Sequence, residues 1–184
     1  FRRVLFRSYV PVSQFLFTPI YTLTGGYTYY SPMLLGYMAN DTQIDLHSGT
    51  SFDHLFVLRK YPSGTPLRNR ILRYHLEGLL HLIQLIEEKR IPESVNIVGT
   101  SYFFNDRTLL KLGFQIEKAS LLYRINLFIN GIDLFWMYSL SQGKLAIPTL
   151  WDAKKASIQG NQLVQSKPKL QALYQHIQAK QTNL

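Results

Sequence analysis

The sequence predicts an α/β (α+β) domain: a central mixed β-sheet with a long amphipathic helix, a short helix and C-terminal helical cover. Three observations predict it. The N-terminal half carries short apolar and aromatic runs broken by turn residues, the pattern of a β meander. Residues 65–90 carry apolar side chains at helical spacing between a start signal and a stop signal. After Pro92 the chain reads strand, short helix, strand.

Residues Phe1–Ser8 (Phe-Arg-Arg-Val-Leu-Phe-Arg-Ser) resemble translated sequencing-adaptor read-through and are set aside as a non-native segment, 1–8. Without Arg2, Arg3 and Arg7, the formal charge of +9 falls to +6. The expected division is then one α/β domain over 9–150 and a helical tail over 151–184, long enough to bury a core. With no cysteine, disulfides, thiol catalysis and thiolate metal sites are excluded.

Tyr9 to Met38 is apolar, but Pro11, Pro19, Gly25-Gly26 and Pro32 argue against a membrane-spanning helix. Phe15 to Leu23 and Tyr27 to Tyr30 read as extended segments around the Gly-Gly turn. Met33 to Met38, Gln43 to His47 and Phe52 to Leu58 read as a three-strand meander. Arg59 to Gly64 is a polar loop leading to the long helix. There Thr65 is the expected N-cap and Pro66 the first helical residue. Leu72, Leu76, Leu79, Ile83 and Ile86 form the apolar stripe, widened by Leu82. Arg73, Glu77, His81, Gln84 and Glu88 fall opposite, with His81 placed to pair with Glu77 and His75 in the core. Lys89 and Arg90 suit the last turn, and Pro92 ends it.

Val95 to Ser101 is a strand bounded by turn residues. Asn105 or Asp106 can cap a short helix, Thr108 to Leu112, that Gly113 closes, and Phe114 to Lys118 alternates as a strand. Two strands joined by a helix favour a parallel pair. Leu121 to Leu140 is the most apolar stretch. As a strand it would put Leu121, Tyr123, Ile125, Leu127 and Ile129 on one side, but its length and Gly143 favour a helix with Asn126, Asn130 and Asp133 on one stripe. A span would carry Arg124 and Asp133 at roughly 2.5–3.5 kcal/mol each, which favours a buried or interfacial helix. A last helix opens at Pro168, with Leu170, Leu173, Tyr174 and Ile177 on its apolar face.

Two constellations can carry chemistry. Asp45-Leu46-His47 and Asp53-His54 flank the Ser48-Gly49-Thr50 turn. Two carboxylates and two imidazoles there could share acid–base work or bind a divalent ion, or form the polar face of a hairpin. His47 and Asp53 are the catalytic candidates of this group. The second constellation is Gly99-Thr100-Ser101-Tyr102, where a strand meets a helix start. Thr100 is there an anion-binding candidate and Tyr102 a catalytic one.

Asn105-Asp106-Arg107-Thr108-Leu109-Leu110-Lys111-Leu112-Gly113-Phe114 resembles the closing motif of the acyl-CoA N-acyltransferase (GNAT) superfamily, over roughly Met33 to Lys118. The resemblance implies acyl-CoA as ligand, a small-molecule or acyl partner and possible N-acyl transfer, with Asn105 at the cofactor. It also implies a V-shaped split between the Phe52–Leu58 and Val95–Ser101 strands. The chain departs from the family at two places. The run that should carry pyrophosphate-binding glycines is Arg68-Asn69-Arg70-Ile71-Leu72-Arg73, so Arg68, Arg70 and Arg73 would have to bind phosphate as side chains. The position of the family's frequent Tyr acid holds Leu109.

The expected setting is the cytoplasm. The alternative is a non-catalytic role with peripheral membrane contact, suggested by the aromatic load and the residual positive charge. Lys and Arg are scattered and no recognition motif is present, which argues against nucleic acid.

Overall fold

The computed structural model describes residues 17–100, 106–118, 131–148 and 154–182. Its elements run in the order α1 (17–23), β1 (Tyr27–Ser31), β2 (Leu34–Tyr37), β3 (Gln43–Ser48), α2 (Ser51–Leu58) and α3 (Thr65–Glu87). They continue with β4 (Asn96–Thr100), α4 (Asp106–Lys111), β5 (Gln115–Lys118), α5 (Gly131–Gln142), β6 (Lys154–Gln159), α6 (Gly160–Gln165) and α7 (Lys167–Thr182). The α/β expectation holds: the six strands form one mixed sheet in the order β1-β2-β3-β4-β6-β5.

β1, β2 and β3 form an antiparallel meander. β3 and β4 then run parallel, with Gln43 opposite Asn96 and Leu46 opposite Gly99. The long helix α3 is their crossover. β6 pairs antiparallel to both β4 and β5. The expected parallel neighbours β4 and β5 are therefore separated by β6, a strand that the sequence reading took for helical tail. Lys154–Gln159 offers only Ala156 and Ile158 as apolar signals, and both are buried.

Strand alternation gives the sheet two faces. Tyr30, Leu34, Ile44, Leu46, Ile97, Ala156 and Ile158 meet α3, α6 and α7 in the main core. Leu76, Leu79, Leu82, Ile83 and Ile86 supply the helix side of that core, with Leu72 at its margin. From α7, Leu170 and Ile177 are buried, and Leu173 and Tyr174 pack beside them. Gly78 lets α3 approach β2: a Cβ there would stand 2.6 Å from Leu34 Cδ2 and 2.9 Å from Leu34 Cβ. A smaller core of Met33, Leu58, Leu67 and Ile71 joins α2 to the first half of α3.

Several local expectations are corrected. Residues 17–23 form a helix rather than an extended segment. Phe52–Leu58 is helix α2, not a third meander strand. Its start is fixed by a capping box: Thr50 Oγ1 accepts from Asp53 N, and Asp53 accepts from Thr50 N at 2.7 Å. Two orphan amide groups are satisfied at once, which outweighs the β tendency of the Phe and Val residues. At α3 the N-cap is Gly64 at φ 90°, and Thr65 is already helical. Its exit is Lys89 at φ 57°, a left-handed position taken without glycine. His81 does not pair with Glu77: its Nδ1–H donates to the Tyr30 carbonyl at 3.0 Å, while Glu77 accepts from Arg73 and Tyr174 at 2.9 Å.

The short helix α4 closes as expected. Gly113 takes φ 88°, Gly113 N donates to Leu110 O and Phe114 N donates to Leu109 O. Of Leu121 to Leu140, the part before Gly131 lies outside the described residues, including Asn126, Leu127, Phe128 and Asn130. From Gly131 the stretch is helical, and Phe135 and Trp136 are half-buried. No helix among the described residues is long and apolar enough to cross a membrane.

Candidate active site at the end of the parallel strand pair

β3 and β4 stop pairing at Leu46 and Gly99. β3 continues through His47 and Ser48, and β4 continues to Thr100, without a bond between them. The carboxyl ends of parallel strands are where α/β sheets place ligands, because backbone groups there turn away from the ladder. The chain then turns at Gly49. A Cβ there would fall 2.7 Å from Met33 Cε and 3.0 Å from Asp53 Cβ, so a side chain at this position would have to displace Met33. α2 begins immediately and sets its first turn against the opening.

Three buried polar side-chain atoms among the described residues have no hydrogen-bond partner: His47 Nε2, Ser48 Oγ and His54 Nε2. All lie between residues 47 and 54. Unsatisfied buried groups are costly, so their gathering at one place makes this turn the candidate site. His47 Nε2 does lie 3.4 Å from Asp45 Oδ2, close enough for an ionic contact but outside hydrogen-bond geometry.

Asp53 is buried, with 7% of its surface exposed. Its carboxylate accepts from Tyr29 Oη at 2.9 and 3.0 Å, Thr50 Oγ1 at 2.9 Å and Thr50 N at 2.7 Å. Burial raises its pKa, against the lowering effect of those bonds. Burial and the adjacent carboxylate together push the Tyr29 phenol well above its ordinary range.

Behind Asp53, His54 donates from Nδ1 to Thr50 O at 3.2 Å, and its ring meets Trp136 of α5 edge-on at 5.9 Å. His75 on α3 donates from Nδ1 to Ile71 O at 2.8 Å, the hydrogen-bonded core role expected of it. Burial lowers both imidazoles to about 4, and the facing His54 adds to the lowering at His75. Both are therefore neutral near pH 7. The sequence reading named His54 only as a metal or acid–base partner. The pairing of His54 with His75 depends on α2 being a helix, so a strand reading could not find it.

The other candidates are distributed as follows. Arg70 lies over the rings of Tyr61 and Tyr74 and donates to the Tyr61 hydroxyl. Arg73 bonds Glu77 at 2.9 Å and lies over Tyr174. Arg68 is exposed on the first turns of α3. The three arginines thus engage different surroundings. Just before α3, Gly64 N donates to Leu140 O at 2.9 Å. Thr100 ends β4 opposite Lys155. Tyr102 and Asn105 lie outside the described residues. The four groups offered for a divalent ion do not converge: among the described residues no three His, Asp or Glu side chains are placed to hold a metal. Asp45 faces His47, and Asp53 is committed to Tyr29 and Thr50. Comparison with known protein families, curated proteins and solved structures returns no match.

Proposed function

We propose that this chain is an acyltransferase-like domain that binds an acyl thioester in the split between β3 and β4 and transfers the acyl group to an amine. The observation that carries this reading is the strand arrangement. One parallel pair sits inside an otherwise antiparallel sheet, and its ladder ends at Leu46 and Gly99 while both strands continue. Strand ends beyond the last paired residues offer backbone N–H and C=O groups to an extended, amide-bearing acyl carrier, in the manner of strand addition. The order long helix, strand, short helix, strand from α3 to β5 matches the GNAT-like order argued from the sequence. Helix α2 stands where the Phe52–Leu58 strand was expected, so the expected split beside that strand is absent and the proposed site lies between β3 and β4 instead.

In this reading His47 is the general base. It stands at the end of the β3–β4 ladder with Nε2 buried and 3.4 Å from Asp45 Oδ2. The amine, entering as its ammonium form, loses one proton to His47 and its nitrogen attacks the thioester carbonyl carbon. The C–N bond forms, the C–S bond breaks, and a second proton from the nitrogen passes to the departing sulfur to give a free thiol. Arg68, exposed on the first turns of α3, is the cation assigned to a phosphate of the carrier.

Thiol release reports the reaction without background, because the protein has no cysteine. With acetyl-CoA and a panel of primary amines, release should depend on both substrates, and His47→Ala should lower kcat by about 10²-fold or more while leaving thioester binding intact. Thiol release that is unchanged in His47→Ala would remove His47 from this role.

A second reading, attachment to an anionic membrane surface, is favoured by a separate observation. Leu55 and Phe56 of α2 are exposed beside Arg59 and Lys60, as are Leu140, Leu145 and Ile147 beside Lys144. The hydrogen bond from Gly64 to Leu140 ties these two segments together. Apolar side chains among cations are what an anionic lipid interface attracts. Flotation with phosphatidylserine vesicles at low salt, lost at about 0.5 M salt, is the result this reading expects. Failure to float at any salt concentration contradicts it.

A further inference from the structure

Away from the turn at residues 47–54, the same sheet face carries a cluster of aromatic rings with a carboxylate. Tyr27 stands opposite Tyr37, and Tyr37 opposite Asp45, across β1, β2 and β3. Tyr21 reaches over from α1. The three tyrosine rings form a triangle with centroids 5.4, 6.0 and 6.5 Å apart, tilted at 35° and 58° rather than stacked flat. The approach is built into the backbone, since a Cβ on Gly26 would stand only 2.8 Å from Tyr21 Cδ1. Tyr21 is 43% exposed and Tyr37 40% exposed, unusual for rings with apolar neighbours available. A cavity of about 390 Å³ opens beside them, lined by Tyr37, Met38, Asn40, Thr42, Gln43 and Asp45.

Charge decides what such a place would hold. The chain as a whole is strongly basic, yet from Tyr9 to Leu58 it contains no Lys and no Arg. Its charged residues there are Asp41, Asp45 and Asp53. A neutral planar ligand would need no such segregation. A cation placed above a ring triangle of this size lies within about 6 Å of all three centroids, the range over which ring faces attract it. Asp45 adds a full negative charge on the same face, shared with the His47 imidazole at 3.4 Å.

We propose that the Tyr21–Tyr27–Tyr37 cluster and Asp45 form a binding site for an organic ammonium group. The site names the acceptor class of the proposed acyl transfer, a cationic amine, and its chemical use rests on that reading. Its position is consistent with that use, because His47 packs edge-on against Tyr37 with centroids 6.2 Å apart. Binding of the cation does not require the thioester, so the two claims are tested separately.

The probe is choline, with 3,3-dimethyl-1-butanol as its uncharged isostere, followed by amide chemical shifts in the intact chain without any thioester. Choline should bind saturably in the millimolar range and shift the Tyr37 and Asp45 amides, with the neutral alcohol at least about tenfold weaker. Tyr37→Leu should weaken choline about fivefold or more and Tyr37→Phe about twofold or less, because the ring face and not the hydroxyl makes the contact. Asp45→Asn should also weaken it about fivefold, and this part-exposed substitution decides the matter if Tyr37→Leu does not fold. Equal affinity for choline and the alcohol would overturn the proposal. So would unchanged choline binding in folded Asp45→Asn, or no saturable shift at any of these residues. A choline site without thiol release would contradict the acyl-transfer reading and leave the ammonium site standing.

Discussion

Acidification from neutral pH to about pH 4 should cost the fold several kcal/mol and drive it toward cooperative unfolding. His54 and His75 are both buried and their imidazoles titrate near 4 instead of 6.5. Between those values the unfolded chain binds more protons than the folded one, so stability is fully present above 6.5 and is lost as pH falls toward 4. Each histidine contributes up to about 3 kcal/mol over that window, against a total stability on the order of 5–15 kcal/mol. Trp136 is neutral, and each imidazole repels the other once charged. Asp53 acts the other way: burial raises its pKa, so its share of stability grows as pH falls and offsets part of the loss at the acid end. Urea titrations from pH 7 to pH 4 should show a midpoint that falls with pH, and a His75→Leu variant should flatten that slope. A midpoint that is constant across this range would contradict the buried, neutral histidine pair.

Asp53→Ala should be the most damaging single polar substitution on this side of the molecule. It removes the acceptor for the Tyr29 hydroxyl and for the Thr50 amide and dissolves the capping box of α2. Stranded donors and a lost cap together should cost about 3 kcal/mol, a fall in Tm of roughly 6–12 °C for a chain of this size. Asp53→Asn keeps an acceptor oxygen and should cost about half as much. A Tm within about 1 °C of the parent for Asp53→Ala would show that Tyr29 and Thr50 find other partners.

The two effects share an origin that also explains what the sequence could not disclose. The long helix was legible because its period is carried by many residues and Pro66 and Pro92 bracket it. The short helix and β5 were legible through Gly113. Phe52 to Leu58 reads as a strand because Phe and Val run there with few breaks, and the deciding signal is the Thr50–Asp53 capping box that straddles its start. Once α2 is a helix, Asp53 turns toward Tyr29 and His54 toward His75. The nearness of His54 to His75 is therefore hidden by one local feature, the helix start at Thr50, rather than by long-range contacts. β6 was hidden for a different reason: a strand with two buried residues has almost no alternation to detect, and only its place between β4 and β5 defines it. The arginines of α3 could be placed on a helix from sequence. Their commitment to Tyr61, Tyr74, Glu77 and Tyr174 could not, because those partners come from a loop and from α7.

The central claim, that an acyl thioester occupies the split between β3 and β4, is tested most directly by amide chemical shifts during titration with acetyl-CoA. The account predicts saturable shifts at His47, Ser48, Gly99 and Thr100, with the helical amides of α7 unmoved and binding weakened by Arg68→Ala but not by Arg73→Ala. Shifts confined to other parts of the sheet, or none at all, would contradict it.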